Sequence, residues 1–302
     1  MLHRYGSVAE SLALRLLALQ PGDRLDPVGQ LAAEFGTGRG TVQSAFRVLT
    51  QEGAVVLHNR GSLGAFVKEI DYHKLLDIAD LSPIIGVMAL PYSIRFQGLS
   101  TGLAVAFEQA RLPLVLAHLR GARSRLHFLR TGRCSFAVIS RLAWEEEQEA
   151  GDLKLLFSFG PGSNVGEHVL VLANPEARGI TDGMRVGLDP SSHDHLRLTA
   201  QECRGKAVEL VHISYAEIAS KLTMGEIDAA IWDASVALPL NLQVVMLPLQ
   251  HRHPTDDPNT EAVLVVRAEM EALGRLLQRH IDPSVIRTVQ QQVVAGERLA
   301  AF

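Results

Sequence analysis

Two stretches of this chain repeat one another without a gap, and that repetition limits what the chain folds into. Residues 129–140 align with residues 222–233: Leu129 with Leu222, Gly132 with Gly225, Ala137 with Ala230, Ile139 with Trp232 and Ser140 with Asp233. Each copy reads as the end of a helix, a glycine turn and a nearly continuous apolar run, the pattern of a parallel strand buried on both faces. The surroundings repeat as well. Before the first copy come an apolar run at 84–90, a helical stretch at 97–111, a run at 114–117 and a helix at 124–130 that leads into a strand at 136–139. Around the second come a run at 185–192, a helix, a run at 208–211, a helix from Ser214 and a strand at 229–232. Strand and helix alternate in both, which specifies an α/β class with parallel sheets. Two such lobes create a cleft, and open parallel sheets bind small ligands beyond the C-terminal ends of their strands, near helix N-termini.

The lobes leave the first part of the chain unexplained. At 302 residues, and with about 100 to 200 residues per domain, two domains are expected: 1–70, a linker over 71–82, and the two-lobed domain over 83–302. Hydrophobic residues are 47% and charged residues 21% of the chain, enough to bury a core throughout. A net charge of −4 argues against polyanion binding along the whole surface. Residues 1–70, however, hold seven Lys/Arg and six Asp/Glu, so the first domain is slightly basic and the remainder acidic. Any nucleic-acid contact is therefore local.

In that first domain Val8, Leu12, Leu16 and Leu19 mark one face of a helix over 7–19, with Ser7 as its expected N-cap. Pro21 and Gly22 end it. Pro27 opens a second helix whose Leu31, Ala32 and Phe35 face inward, and Gly36 lies past its end. After a short turn a third helix over 39–52 buries Val42, Ala45, Phe46 and Leu49 and keeps Arg39, Gln43 and Arg47 on another side. Two β-prone runs at 53–57 and 65–67, around a loop with Gly61 and Gly64, read as a hairpin wing. This order is that of a winged helix-turn-helix, which offers its third helix to the major groove.

The in-register elements Pro21-Gly22, Leu31-Ala32, Arg39, Thr41, Val42, Ala45, Leu49, Gly53 and the wing Arg60-Gly61 with Gly64 and Val67 resemble the DNA-binding domain of the GntR family of regulators. That resemblance implies that Thr37, Arg39, Thr41, Gln43 and Arg47 lie at the DNA, and that Arg60 and Ser62 act from the wing. The chain departs from the family pattern over 26–30, where a customary cation is missing. Coverage of 83–249 by the lobes resembles the type 2 periplasmic-binding-protein fold, which LysR-family regulators use as an effector domain. Taken whole, with the stretch 86–93 and the Gly98-Leu99 and Gly102-Leu103 pairs as its most telling part, the chain looks like the YhfZ family of GntR-like regulators. The expected partners are a double-stranded operator, a small-molecule effector and a second copy of the chain in a dimer.

For the cleft, the two strand-to-helix turns at 91–95 and 190–194 put hydroxyls before a helix start, where free N–H groups favour an anion. The candidates are Tyr92, Ser93 and Arg95 from the first turn and Ser191 and Ser192 from the second. Ser140 and Arg141 leave the third strand of lobe one. Asp233 holds the matching place in lobe two and suits an ammonium. The expected effector is a small anionic or zwitterionic metabolite. A plainer reading gives Ser191, Ser192 and Asp194 to helix capping and Arg95 to solvent.

Other chemistry finds little support. Only Cys134 and Cys203 occur, without the spacing of a disulfide framework or zinc site, which fits a reducing cytoplasm. Residues 1–20 lack a signal-peptide pattern, no run reaches a membrane span, and a cytoplasmic location is expected. His193 with His195 and His251 with His253 lack the spacing of metal ligands and read as surface or loop residues, so no metal or cofactor is expected. No nucleophile elbow or phosphate loop is found, and an enzyme is not expected. The competing reading is an enzyme or a plain solute-binding protein on the two-lobed fold, with the N-terminal helices serving assembly. An apolar helical set over 270–302, including Leu273, Leu277 and Ile286, is expected to pack on its own domain.

Overall fold

The computed structural model describes residues 6–234, 236–239, 242–250 and 258–302. The His251 and His253 pair lies outside them, as do the first five residues of the stretch read for a leader. The chain divides into two compact units, one made of 1–85, 106–115 and 267–282, the other of 86–105, 116–266 and 283–302.

The first unit opens with three helices, α1 (Ser7–Leu16), α2 (Val28–Glu34) and α3 (Arg39–Gln51). Gly6 caps α1, and the expected cap Ser7 is instead its first helical residue, its carbonyl accepting from the Ser11 hydroxyl. The helix ends earlier than its apolar period suggests because the Leu19 amide turns back to Leu16 and the chain reverses at Gly22, whose φ is +97°. α3 buries Val42, Ala45 and Leu49 against α1 and α2. Strands β1 (Val55–Asn59) and β2 (Ala65–Ile70) pair antiparallel, with Val55 opposite Ile70 and Asn59 opposite Ala65, around a 3-10 turn at Gly61–Leu63. The segment between α1 and α2 adds a third edge to this wing, since Gly22 donates to Val67 at 2.8 Å and Leu25 to Ala65 at 2.9 Å. Helix α4 (Tyr72–Ile78) starts at Asp71, whose carboxylate accepts from the Lys74 amide, and buries Leu75, Leu76 and Ile78.

The lobes follow as β3 (Ile84–Met88), α5 (Ile94–Gln109), β4 (Leu114–His118), α6 (Ala122–Arg130), β5 (Phe136–Ser140), α7 (Arg141–Glu147) and β6 (Leu153–Ser158), then β7 (His168–Leu172), β8 (Arg185–Leu188), α8 (His193–Glu202), β9 (Glu209–His212), α9 (Ile218–Thr223), β10 (Ala229–Asp233) and β11 (Val245–Pro248). Strand β12 (Ala262–Arg267) and helices α10 (Glu271–His280) and α11 (Pro283–Val294) complete the chain. The repeated sequence falls where its grammar requires: 129–140 is the end of α6 with β5, and 222–233 is the end of α9 with β10.

The two sheets share one plan. Their orders are β4-β3-β5-β12-β6 and, read from its other edge, β9-β8-β10-β7-β11. The strands are not all parallel. β3 pairs parallel with β5, and β8 with both β9 and β10, but β12 runs antiparallel to β5 and β7 antiparallel to β10. β7 enters the second sheet straight after β6 leaves the first, and β12 returns to the first after β11. The chain thus crosses between lobes twice, and each crossing supplies the antiparallel strand that lies beside the parallel ones.

Glycines mark the tightest approaches. A Cβ on Gly86 would stand 2.2 Å from the Phe136 ring across the β3–β5 pair, and one on Gly102 would stand 2.5 Å from the Ile286 carbonyl of α11. The Gly98 and Gly102 pair therefore lets α5 lie against the α11 backbone. Leu273, Leu276 and Leu277 of α10 and Ile286 and Val289 of α11 are buried within the chain.

Candidate functional site

Two faces carry chemistry, one on the winged domain and one in the two-lobed domain. On the first, the apolar period that buries Val42, Ala45 and Leu49 turns Arg39, Thr41, Gln43 and Arg47 to solvent, and Thr37 is half-buried before the helix. Gly38 caps α3 without a side-chain bond, leaving its first amides open to an acceptor. The Arg39 guanidinium lies over α2 at Gly29, within 3.2 Å of where a Cβ would stand. On the wing, Arg60 and Ser62 are exposed, and the Arg60 guanidinium sits 4.7 Å from the centre of the Phe66 ring. Stacking of this kind restrains the side chain at the wing tip.

The second face is a cavity of ≈ 340 Å³ inside the two-lobed domain. Lobe one contributes Tyr92, Phe96 and the start of α6, from Arg120 to Ala122 with Arg125. From lobe two come Asp189, Ser192, Asp194, His195, Tyr215, Trp232 and Asp233. Three of these rings stack in series: Tyr92 and Tyr215 at 5.5 Å between centroids, then Tyr215 and Trp232 at 5.0 Å. The Asp233 amide donates to the Tyr215 hydroxyl at 2.9 Å.

Of the two arginines in the described lining, Arg120 and Arg125, Arg125 is the buried one. Ala122, Arg125, Leu126 and Leu129 share the buried stripe of α6, so the guanidinium is carried inward, 7% exposed. One of its nitrogens donates to the Leu119 carbonyl at 3.0 Å, and its Nε has no partner among the described residues. Burial pulls its pKa down to about 10, against the opposing pull of Tyr92 and Asp194. An unpartnered buried N–H costs about 1–3 kcal/mol, a cost that an acceptor brought by a ligand removes.

The acids are held differently from one another. Burial works against charge on Asp189, but the Ser191 hydroxyl and the amides of Tyr215 and Ser191 outweigh it and hold the carboxyl below the usual range. Asp194 accepts from the Ser140 hydroxyl at 2.8 Å. With its amide nitrogen toward Asp194, Asn259 also donates to both carboxylate oxygens and accepts from His168 Nδ1. His195 accepts at Nδ1 from the Asp189 amide, so its Nε2 carries the proton and donates to the Ile231 carbonyl at 3.0 Å. Burial lowers its pKa to about 4, and the ring is a neutral strut between the ends of β8 and β10. The reading of His193 and His195 as surface residues is thus corrected: both are within 5% of full burial, because they lie in the first turn of α8 on its inner side.

Of the residues expected at the cleft, Tyr92, Ser192 and Asp233 line the cavity. The others are placed outside its lining. Ser93 caps α5 by accepting from the Phe96 amide, and Ser140 caps α7 through the Ala143 amide. Arg95 donates to the Gly162 carbonyl at 2.7 Å, Arg141 pairs with Glu145 and Glu261, and Ser191 bonds to Asp189. Arg125, Tyr215 and Trp232 were missed as site residues. A signal existed for Arg125, since it breaks an otherwise apolar helical stripe.

Contacts between the lobes are close on this side. A Cβ on Gly121 would meet Ser191 Oγ at 2.5 Å, and the Gly121 φ of +73° is one that favours glycine. His193 Nδ1 stands 2.8 Å from Glu146 across α7 and α8, and Arg120 donates to the Ser214 hydroxyl. These contacts join the two lobes beside the cavity.

A family model described as the YhfZ C-terminal domain matches residues 71–302, and one described as a helix-turn-helix domain matches 20–67. The chain belongs to the YhfZ family. YhfZ of Escherichia coli strain K12 is 34% identical over 301 residues, covering 98% of this chain and 97% of that protein. The crystal structure of YhfZ from Shigella flexneri matches with a TM-score of 0.63 at 32% identity, over 76% of this chain and 97% of that one. The fold alone is shared with the periplasmic aliphatic sulphonate binding protein SsuA of Escherichia coli, at a TM-score of 0.52 and 18% identity, over 70% of this chain and 74% of that one. This YhfZ-family chain is therefore a helix-turn-helix domain followed by a two-lobed domain of the periplasmic-binding-protein type. Among its described residues no helix is long and apolar enough to cross a membrane.

Proposed function

We propose that this YhfZ-family chain is a GntR-like transcriptional regulator of the cytoplasm whose operator binding is set by a small anionic or zwitterionic metabolite in the two-lobed domain. The observation that carries the reading is the presence, in one chain, of a helix-turn-helix domain and a cavity with a buried, incompletely partnered Arg125. In this scheme 1–70 binds DNA, 71–82 connects, and 83–302 senses. Arg39, Thr41, Gln43 and Arg47 read or position the major groove from α3, Thr37 and the open amides above Gly38 meet phosphate, and Arg60 and Ser62 reach the backbone or minor groove from the wing. A dimer on a pseudo-palindromic site follows from the geometry of such motifs. Tyr92, Ser192 and Asp233 contact the effector, joined by Arg125, Tyr215 and Trp232.

An enzyme on this fold is the second reading, and it is disfavoured by how the polar groups are used. Asp189, Asp194 and His195, the groups best placed for proton transfer, are committed to amides, hydroxyls and a carbonyl. The test of the DNA face is operator affinity against salt for the parent and for Arg39→Ala and Arg47→Ala. Each variant is expected to bind more weakly, with the slope of log affinity against log salt reduced by about one. Unchanged affinity and slope in both would refute the assignment.

A further inference from the structure

The third edge of the wing carries an uncompensated cation. The segment between α1 and α2 is bonded to β2 at three points: the Gly22 amide donates to Val67 at 2.8 Å, Val67 to Asp23 at 2.9 Å and Leu25 to Ala65 at 2.9 Å. Arg24 lies between them, paired across the strands with Phe66. Successive residues of a strand point to opposite faces, so the pairing that buries Leu25 leaves Arg24 exposed. Its guanidinium reaches the end of the wing loop at Gly64, with Nε 3.4 Å from where a Cβ would stand. Arg60 meets the same end of the wing. Its amide donates to the Gly64 carbonyl at 2.9 Å, and its guanidinium stacks on Phe66.

Charge pairing separates Arg24 from ordinary surface cations. Among the described residues of the winged domain, Arg15 pairs with Asp26 at 2.8 Å and Lys68 with Glu69 at 3.1 Å, whereas no carboxylate is within ion-pair reach of Arg24, Arg39, Arg47 or Arg60. The acids nearest to Arg24 in sequence are held elsewhere, since Asp23 accepts from the Gln20 amide at 2.9 Å and Asp26 belongs to Arg15. Three of these four arginines are the ones assigned to the DNA face from α3 and the wing. We infer that Arg24 is a further DNA-binding residue, donating to a backbone phosphate from the third edge of the wing. This rests on the reading of 1–70 as a DNA-binding domain and extends its contact surface. Phosphate rather than a base edge fits the position: Arg24 stands on a strand of the wing, not on the helix offered to the major groove, and a guanidinium fork takes phosphate oxygens in pairs. The backbone bonds on both sides of Arg24 and its contact with Gly64 restrain the side chain before DNA arrives, so less freedom is lost on binding.

The test uses the full-length chain and two labelled duplexes of equal length, one selected by the parent protein from a random pool and one of scrambled sequence. Affinity is measured against salt for the parent, Arg24→Gln, Arg24→Lys and Lys221→Gln, the last removing one positive charge from lobe two. Arg24 is exposed, so its variants leave the core intact. Arg24→Gln is expected to reduce the slope of log affinity against log salt by about one on both duplexes, so that its deficit relative to the parent narrows about three- to fourfold between about 50 and 200 mM salt. The ratio of its two affinities is expected to stay that of the parent, because a phosphate contact reads no sequence. Arg24→Lys keeps the charge and is expected to keep the slope, as is Lys221→Gln. A parental slope in Arg24→Gln, an equal fall in Lys221→Gln, or a loss confined to the selected duplex overturns the inference. Where Arg39→Ala and Arg47→Ala weaken binding and Arg24→Gln does not, this inference alone fails; a parent protein that binds neither duplex refutes the DNA-binding reading and this inference with it.

Discussion

His195 shows what burial does to one side chain and what that does to the protein. Its unfolded form titrates near the ordinary histidine value, while the folded ring, enclosed and bonded to the Asp189 amide and the Ile231 carbonyl, is held at about 4. Above about pH 6.5 both states are neutral and the group contributes no pH dependence. Below it the unfolded chain takes up a proton that the folded chain refuses, so stability falls as pH falls, by about 1.4 kcal/mol per pH unit until the folded ring itself titrates. Denaturant unfolding between pH 6.5 and 4.5 is expected to show this slope, shallower in His195→Gln, which retains a donor. An equal slope in the variant would remove His195 as its source. At the same scale, the hydroxyls expected in the cleft went largely to helix caps, at Ser93, Ser140 and Ser192, because a local bond to a free amide is available as soon as the helix forms. Ser192 is the exception that caps and also faces the cavity.

At the level of elements, the winged domain was legible because each helix carries its own apolar period and ends at a proline or glycine. The alternating strands and helices of the lobes were legible for the same reason. The crossing strands β6, β7, β11 and β12 were not, although β12 is an unbroken apolar run from Ala262 to Val266. Periodicity identifies a strand but not its sheet, and these four join sheets out of chain order. β7, β11 and β12 thereby add antiparallel pairing beside β3 with β5, and β8 with β9 and β10, the parallel pairs that the alternation specifies. Close strand packing also yields a prediction. Gly86→Ala forces a methyl into the Phe136 ring, and the cost is expected at about 1–3 kcal/mol. A urea midpoint unchanged from the parent would contradict it.

For the whole molecule, the repeat read from sequence became two sheets of one strand order, and the cleft between lobes became a cavity beside which Gly121 meets Ser191 and Ser140 meets Asp194. Its most informative residues were obscured because Tyr215, Trp232 and Arg125 sit at positions that periodicity assigns to ordinary core. The contact between lobes should be sensitive to one methyl group. Gly121→Ala places a Cβ against Ser191 at a backbone angle that favours glycine, and is expected to weaken effector binding at least about tenfold. An affinity equal to the parent's would show that the lobes need not meet there. The central claim is coupling between the cavity and α3, and reciprocity requires that whatever binds one changes affinity at the other. The direct measurement is operator affinity of the full-length protein, by mobility shift at fixed salt, with and without a saturating compound that stabilises the protein. A change of about fivefold or more, in either direction and absent in Arg125→Gln, is the expected result; an affinity that does not move while the compound stays bound and chemically unchanged would contradict the account.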